Sequence, residues 1–395
     1  MIRKLLAAAA AAVALHGGAL AQNTIKLGVV NIDTGPFAVS GAFVNDGAAF
    51  AVERLNAQGG ALGRKYELII QNHAGSPASA IAAASRLVEQ QGVSFFTGLN
   101  PSGTSLAIAS KMSAMNALFI DATAASDDLT GKNCGPNYFR VGITDGMQVN
   151  SFRELAKQSG IKSWDLMMAD IAVGHDTAKR FTAAMQESGG GKINKTLFAP
   201  ITASDLGSYI AQLLDKPAEG LLMYYPSSGG IALIKQQQPF KLFEKYKTVV
   251  SASMVNEILI GAHGDASVGL WSAQSYFWAM PGERNAAFVK AFEERFKRKP
   301  TYIDADAYMS FELVHQAILK AKSTDVSAVR NALAGLKATT VVGDVEMRAA
   351  DHQLLRPLVV VQAVKAGDGK GEIAMKSITP TDKIAPPVSP ECKTL

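Results

Sequence analysis

The chain alternates short apolar runs with stretches of helical periodicity, and that alternation predicts parallel sheets covered by helices on both faces. In the first third the apolar runs fall at 26–31, 66–72, 94–99 and 118–122. After the first of them, Val44, Ala48, Ala51 and Leu55 recur at i, i+4, i+7 and i+11, which sets them on one helical face packed against the sheet. Residues 79–91 repeat the device, with Ile81, Ser85 and Val88 on one stripe and Arg86 and Glu89 largely outside it. This unit ends near Arg140.

A second series follows in the same rhythm, with strands predicted at 165–169, 195–199, 220–225 and 248–251 and helices at 147–159, 176–188, 205–215 and 229–237. Two such series point to two lobes of similar build rather than one very wide sheet. Past Val268 the pattern changes. The run 268–280 is too extended and aromatic for a helix and predicts a segment returning the chain from the second lobe to the first. Its Trp271, Tyr276, Phe277 and Trp278 would either face a cleft alternately or pack as core at the junction. Helices are expected at 283–297, 305–322 and 326–336, then paired strands at 341–348 and 357–364, then a polar, proline-containing tail. More than one crossing between lobes permits hinge bending while restricting random tumbling.

The N-terminus has the pattern of an export signal: Arg3 and Lys4, an alanine-rich apolar run over 5–15, and Ala19-Leu20-Ala21 as a small-x-small cleavage site. His16-Gly17-Gly18 interrupts the run well short of the roughly 20 residues that span a bilayer. No cysteine near the site offers a lipid attachment, so a periplasmic protein free of its leader is expected. The net charge of +5 is small and scattered, which argues against a nucleic-acid groove. Cys134 and Cys392 are the two cysteines. An oxidising compartment permits a bridge stapling the tail, and two free thiols are the alternative.

Enzyme constellations are missing: there is no phosphate loop, no G-x-G-x-x-G after the first strand, no H-E-x-x-H and no G-x-S-x-G elbow. No cofactor is implied. His175-Asp176 comes nearest to an acid–base pair, and reads more simply as a helix start with Asp176 near the N-terminal N–H groups. More informative are four small, polar loops at strand-to-helix junctions, where open α/β sheets hold ligands. They are Gly35-Pro36-Phe37-Ala38-Val39-Ser40-Gly41, Gly98 to Ser105, Asp121 to Ser126, and Tyr225-Pro226-Ser227-Ser228-Gly229-Gly230. In the second, Ser102-Gly103-Thr104-Ser105 would open a helix whose unpaired N–H groups and hydroxyls suit a carboxylate.

These residues, in this order, resemble the periplasmic substrate-binding proteins of branched-chain amino acid ABC importers, the leucine/isoleucine/valine-binding type, over essentially the whole mature chain. The resemblance rests on Ile25-Lys26-Leu27-Gly28-Val29-Val30 with the Gly35-Pro36 loop, and on Leu55-Asn56-Ala57-Gln58-Gly59-Gly60-Ala61-Leu62-Gly63. It rests also on Asn137-Tyr138-Phe139-Arg140, and on Ala287 to Phe292 with Arg295-Phe296. It implies an α/β fold of two Rossmann-like lobes with parallel-type sheets joined by three crossover segments, the type I periplasmic binding architecture. One lobe would comprise 22–142 with 272–342, the other 143–271 with 343–395. It also implies a monomer that closes on a small ligand and delivers it to an inner-membrane ABC permease, with no nucleic-acid partner.

Carried over residue by residue, the resemblance places a carboxylate anchor at Ser102, Gly103, Thr104, Thr123, Ala124 and Ala125. Second-lobe contacts would come from Ile171, Val173, Tyr225, Ser227 and Ser253, with Tyr276 from the returning segment. The chain departs from the pattern in three places. Ser40 stands where amino-acid binders often carry an aromatic residue, Ile171-Ala172-Val173 replace an expected tyrosine, and no acid lies at Ala252-Ser253, Glu257 being nearest. A buried ammonium without a carboxylate partner is costly. The expected ligand is therefore a small carboxylate with an apolar or aromatic body, either without an ammonium or branched-chain amino acid-like. Two rivals are a sensor of the same fold that signals rather than transports, and an enzyme using His175 and Asp176.

Overall fold

The computed structural model describes residues 24–34, 38–99, 101–187, 191–252, 254–367 and 371–393. The N-terminal residues that carry the expected export signal, Gly35-Pro36-Phe37 and Ser253 lie outside them. Two main sheets form. The first is fully parallel, in the order β2-β1-β3-β4-β5, from β1 (Ile25–Asn31), β2 (Tyr66–Asn72), β3 (Phe95–Gly98), β4 (Leu118–Asp121) and β5 (Tyr138–Arg140).

The second sheet has a parallel body of β6 (Ser163–Ala169), β7 (Lys192–Ala199), β8 (Gly220–Tyr224), β9 (Thr248–Ser251) and β10 (Leu270–Gln274). Its edge is antiparallel, made by β14 (Leu358–Lys365) and β15 (Gly371–Thr379), so the order is β15-β14-β10-β9-β8-β6-β7. A small antiparallel sheet joins β11 (Lys337–Thr340), β12 (Gly343–Met347) and β13 (Leu354–Leu355). Next to β13, Gln353 bridges Arg140 of β5, so residues 343–355 sit with the first sheet rather than the second.

The helix α1 (Ala38–Ala57) buries the expected face, Val44, Ala48, Ala51 and Leu55. It packs on α7 (Tyr302–Ala321) so closely that a Cβ on Gly47 would stand 2.2 Å from the Asp304 carbonyl oxygen, which only glycine allows. The Asn-x-x-Gly-Gly-x-x-Gly turn has an equally local cause. Asn56 caps the start of β2 with both ends of its amide, Nδ2 donating to the Tyr66 carbonyl at 2.9 Å and Oδ1 accepting from the Tyr66 N–H at 2.7 Å. Gly59, Gly60 and Gly63 take positive φ between them, where a side chain would be strained.

The chain passes between the sheets three times, through 141–144, 275–282 and 356–357. One side chain ties all three. Arg356 is fully buried, its Nη1 donating to the Val141 carbonyl at 3.2 Å and to Asp306 Oδ1 of α7 at 2.5 Å, and its Nη2 to the Ser275 carbonyl. Cys134 and Cys392 form a disulfide with Cα atoms 5.4 Å apart, tying the tail to the loop before β5.

Three expectations change. The strands expected to pair after 341 do not meet: β12 pairs with β11 and β13, whereas β14 pairs with β10 and β15. The apolar periodicity located both strands but could not choose their partners. The helix expected from Asp176 begins at Ala172, so Asp176 lies inside it rather than at its N-terminus. Gly174 permits the tight entry, since a Cβ there would stand 2.0 Å from the Ala169 carbonyl oxygen. His175 Nε2 pairs with Asp170 Oδ1 at 2.7 Å and its ring stacks on Phe198, which separates it from the proposed partnership with Asp176.

Candidate ligand cleft

The first two crossings and the strand ends beside them enclose a cavity of about 590 Å³, counting its open mouth. Thr123 and Ala125, from the loop after β4, make one wall. Thr144, Asp145 and Gln148 enter from the first crossing and from α3 (Asp145–Ser159), which follows α2 (Ser102–Ala109) along the chain. Asn256 follows β9, Gln274 and Ser275 end β10, and Tyr302 and Asp306 come from α7. Both sheets thus contribute polar groups to a single space.

The wall after β4 is held by Asp121, which is fully buried. It accepts from Ser105 Oγ at 2.5 Å, Tyr138 OH at 3.1 Å and the backbone N–H groups of Thr123 and Ala124, both at 3.0 Å. Burial raises the carboxyl pKa, while these donors and the nearby Arg140 pull it down. The consequence bears on the expected anchor: the N–H groups of Thr123 and Ala124 are engaged within the protein. The side chains of Thr123 and Ala125 line the cavity, and Ala124 is buried behind it.

Ser102 opens α2 beside the cavity rather than in its wall, its Oγ accepting from the Ser126 N–H at 3.2 Å. Gly103 is exposed, and Thr104 is buried with its hydroxyl donating to the Pro101 carbonyl at 2.7 Å. Ser40 lies in the first turn of α1, Ile171 in the short link after β6, and Val173 in the first turn of the helix Ala172–Glu187, and none of these three lines the cavity; Ser227 opens the helix Ser227–Gln237.

Two expected tyrosines are core residues. Tyr225 is fully buried, its hydroxyl donating to the Pro200 carbonyl. Tyr276 is fully buried too, its hydroxyl donating to Asn285 Oδ1 at 2.8 Å and its ring packed edge-on against Phe288. Strand β10 ends at Gln274 and the chain turns, which points Tyr276 inward. At the end of β10, Trp271 and Ala273 pack with the second lobe's core, while Ser272, Ala273, Gln274 and Ser275 all reach the cavity.

Acids missing from the Ala252-Ser253 region are supplied by other elements. Asp145 stands in the wall with its pKa raised to about 7, by burial first and then by the charge of Asp127, with Arg140 and Arg180 opposing. Glu257 sits next to Gln274 with both carboxyl oxygens buried and unpartnered, and burial pushes it up to about 8. The Gln274 amide tempers that rise without completing a hydrogen bond to it. Asp306 is paired with Arg356 and accepts from Ser275 Oγ at 2.6 Å. Asp145, Gln274 and Asp306 escaped the sequence reading because each belongs to an element outside the four loops; an isolated polar residue at the end of an apolar strand was the one available signal for Gln274.

Among the described residues no helix is long and apolar enough to cross a membrane, and no group of three His, Cys, Asp or Glu side chains could hold a metal ion. A Leu/Ile/Val-binding protein homolog of Brucella melitensis is 27% identical over 337 residues, covering 82% of this chain and 87% of its own. The leucine-, isoleucine-, valine-, threonine- and alanine-binding protein of Brucella ovis, in a closed conformation, superposes with a TM-score of 0.86 at 19% identity, over 94% of this chain and 99% of that one. A solute-binding protein from R. palustris in complex with 4-hydroxybenzoate gives 0.80 at 21% identity, over 91% and 98%. The architecture is that of type I periplasmic binding proteins. A family model described as periplasmic binding protein matches residues 24–369, and with two lobes, three crossings and one shared cavity to agree with it, this chain belongs to that family.

Proposed function

We propose that this chain is the extracytoplasmic solute-binding receptor of an ABC importer, which closes its lobes on a small carboxylate-bearing ligand and hands it to a membrane permease. The observation that carries the reading is the cavity beside the first two crossings, walled from both sheets. A guest there touches both lobes only when they are together, so binding shifts the population toward the closed form. The relatives' names support import of amino acids or of aromatic carboxylates. Export through the N-terminal signal agrees with the disulfide, which an oxidising compartment preserves. The receptor acts as a monomer, and its chemistry is binding without turnover.

The ligand body is apolar or aromatic. Asp145 favours a second reading of the charged end, since an acid in the wall gives an α-ammonium group a partner. A thermal-shift screen of amino acids against aliphatic and aromatic carboxylates, followed by calorimetry, separates the two. The leading reading expects simple carboxylates to raise the melting temperature; stabilisation by branched-chain amino acids alone selects the second. Failure of every acid in both classes would overturn the proposal.

A further inference from the structure

The corner of the cavity at the end of β10 contains polar atoms that nothing among the described residues satisfies. Gln274 is 5% exposed, lines the cavity, and has neither its Nε2 donor nor its Oε1 acceptor engaged. Behind it lie the two unpartnered carboxyl oxygens of Glu257. Buried amides are ordinarily paired, and an unpaired one is expensive. Here the open side of the amide is the cavity itself.

We infer that Gln274 is a specificity-determining residue that reads an uncharged hydroxyl on the body of the ligand, so that this receptor prefers hydroxylated carboxylates to their parent acids. This rests on the carboxylate reading above and narrows its substrate class. The chemistry of the corner selects the group. A carboxylate would satisfy only the Nε2 donor and an ammonium only the Oε1 acceptor, whereas a hydroxyl both accepts and donates. Arg356, which donates to the carbonyl of neighbouring Ser275, is ion-paired with Asp306, so its charge is already matched although its Nε has no partner. Glu257 with its pKa at about 8 is mainly uncharged at neutral pH, which leaves the corner without a charge to attract a cation.

A site built to hydrogen-bond a hydroxyl rejects the analogue lacking it, because its own polar atoms are then left unpaired. The test is calorimetric titration of the full mature chain with matched pairs: 4-hydroxybenzoate and benzoate, 3-(4-hydroxyphenyl)propionate and 3-phenylpropionate, 2-hydroxy-4-methylpentanoate and 4-methylpentanoate. For at least one pair the hydroxylated acid should bind on the order of tenfold more tightly or better. Gln274→Met, of similar length but without polar atoms, should bring the ratio of the two affinities in that pair to near one, and binding of the parent acid at any affinity reports a folded cleft. If Gln274→Met fails to fold, Gln274→Leu and Gln274→Glu replace it, and the preference should fall in both. Equal affinities within every pair in the wild type, or a preference unchanged by the substitution, overturns the inference and leaves the carboxylate reading standing. Binding of no acid at all removes the carboxylate reading and this inference with it.

Discussion

The two sides of the cavity are both built from buried polar side chains, yet they are finished to different degrees. On the β4 side, Asp121 gathers two hydroxyls and two backbone N–H groups, and the loop carrying Thr123 and Ala125 is fixed by those four bonds. On the β10 side, the amide of Gln274 and the carboxyl of Glu257 hold four polar atoms with no partner. A satisfied cluster fixes a shape before any ligand arrives, whereas an unsatisfied one leaves bonds for the ligand to complete. The first side is a ledge and the second a reader.

The largest expected effect comes from breaking the ledge. Asp121→Ala strands four buried donors, and a loss of about 3–5 kcal/mol of stability is expected from the price of unpaired buried groups. Denaturant unfolding measures it. Asp121→Asn keeps the shape and one acceptor oxygen and should lose less. A loss below about 1 kcal/mol for Asp121→Ala would mean that something other than this carboxylate sets the ledge, since a buried charged hydrogen bond alone exceeds that figure.

The disulfide provides the next cut, because Cys134 lies on the loop that follows the ledge. It closes a separation of 258 residues, so its removal by Cys134→Ala with Cys392→Ala should cost about 2–4 kcal/mol, chiefly by freeing the unfolded chain. Ligand affinity should be unchanged, since Asp121, not the staple, holds the cavity wall. A large loss of affinity would transfer the ledge's rigidity to the staple.

The unfinished side has a signature in pH. Glu257 and Asp145 have folded pKa values raised to about 8 and about 7, from ordinary values of 4.5 and 3.8. A raised folded pKa means that the folded state keeps a proton the unfolded chain releases, so the stabilisation is fully present below about pH 4 and is lost as pH rises through 7 to 8. Glu257→Gln should therefore raise the melting temperature at pH 8 relative to the wild type and change it little at pH 4, with Asp145→Asn acting in the same direction and ending its rise near pH 7. Parallel pH profiles for wild type and Glu257→Gln would show that the carboxyl is solvated after all.

How much of this could be read in the chain follows the range of the interactions. The face of α1 and the Asn56 turn were legible because their causes lie within a few residues. Thr123 and Ala125 were legible because a strand-end loop faces the cleft by topology. Tyr276 misled because its orientation depends on where β10 stops, and Asp145 and Asp306 were hidden because they reach the cavity from helices that only the crossings bring there. The partner of β14 was hidden for the same reason: alternation marks a strand and says nothing of its neighbour.

The smallest expected effect tests how the ledge meets the opposite lobe. Arg180, on α4 (Ala172–Glu187), reaches Asp127 at 2.8 Å, and Asp127 follows the ledge in sequence. The pair spans the cleft mouth from one lobe to the other. It is partly exposed, with side chains 39% and 19% accessible, so screening limits it to about 1 kcal/mol or less. Arg180→Gln should then leave global unfolding nearly unchanged. It should nevertheless weaken ligand binding by about two- to fivefold, the equivalent of that energy, because the bond is made only when the lobes are together. Added salt should weaken wild-type binding toward the variant's value. Small-angle scattering of the unliganded variant should show a more open average shape than the wild type. Identical scattering with identical affinity would place the preference for closure entirely on the ligand's own contacts, and so on the reader rather than on the ledge.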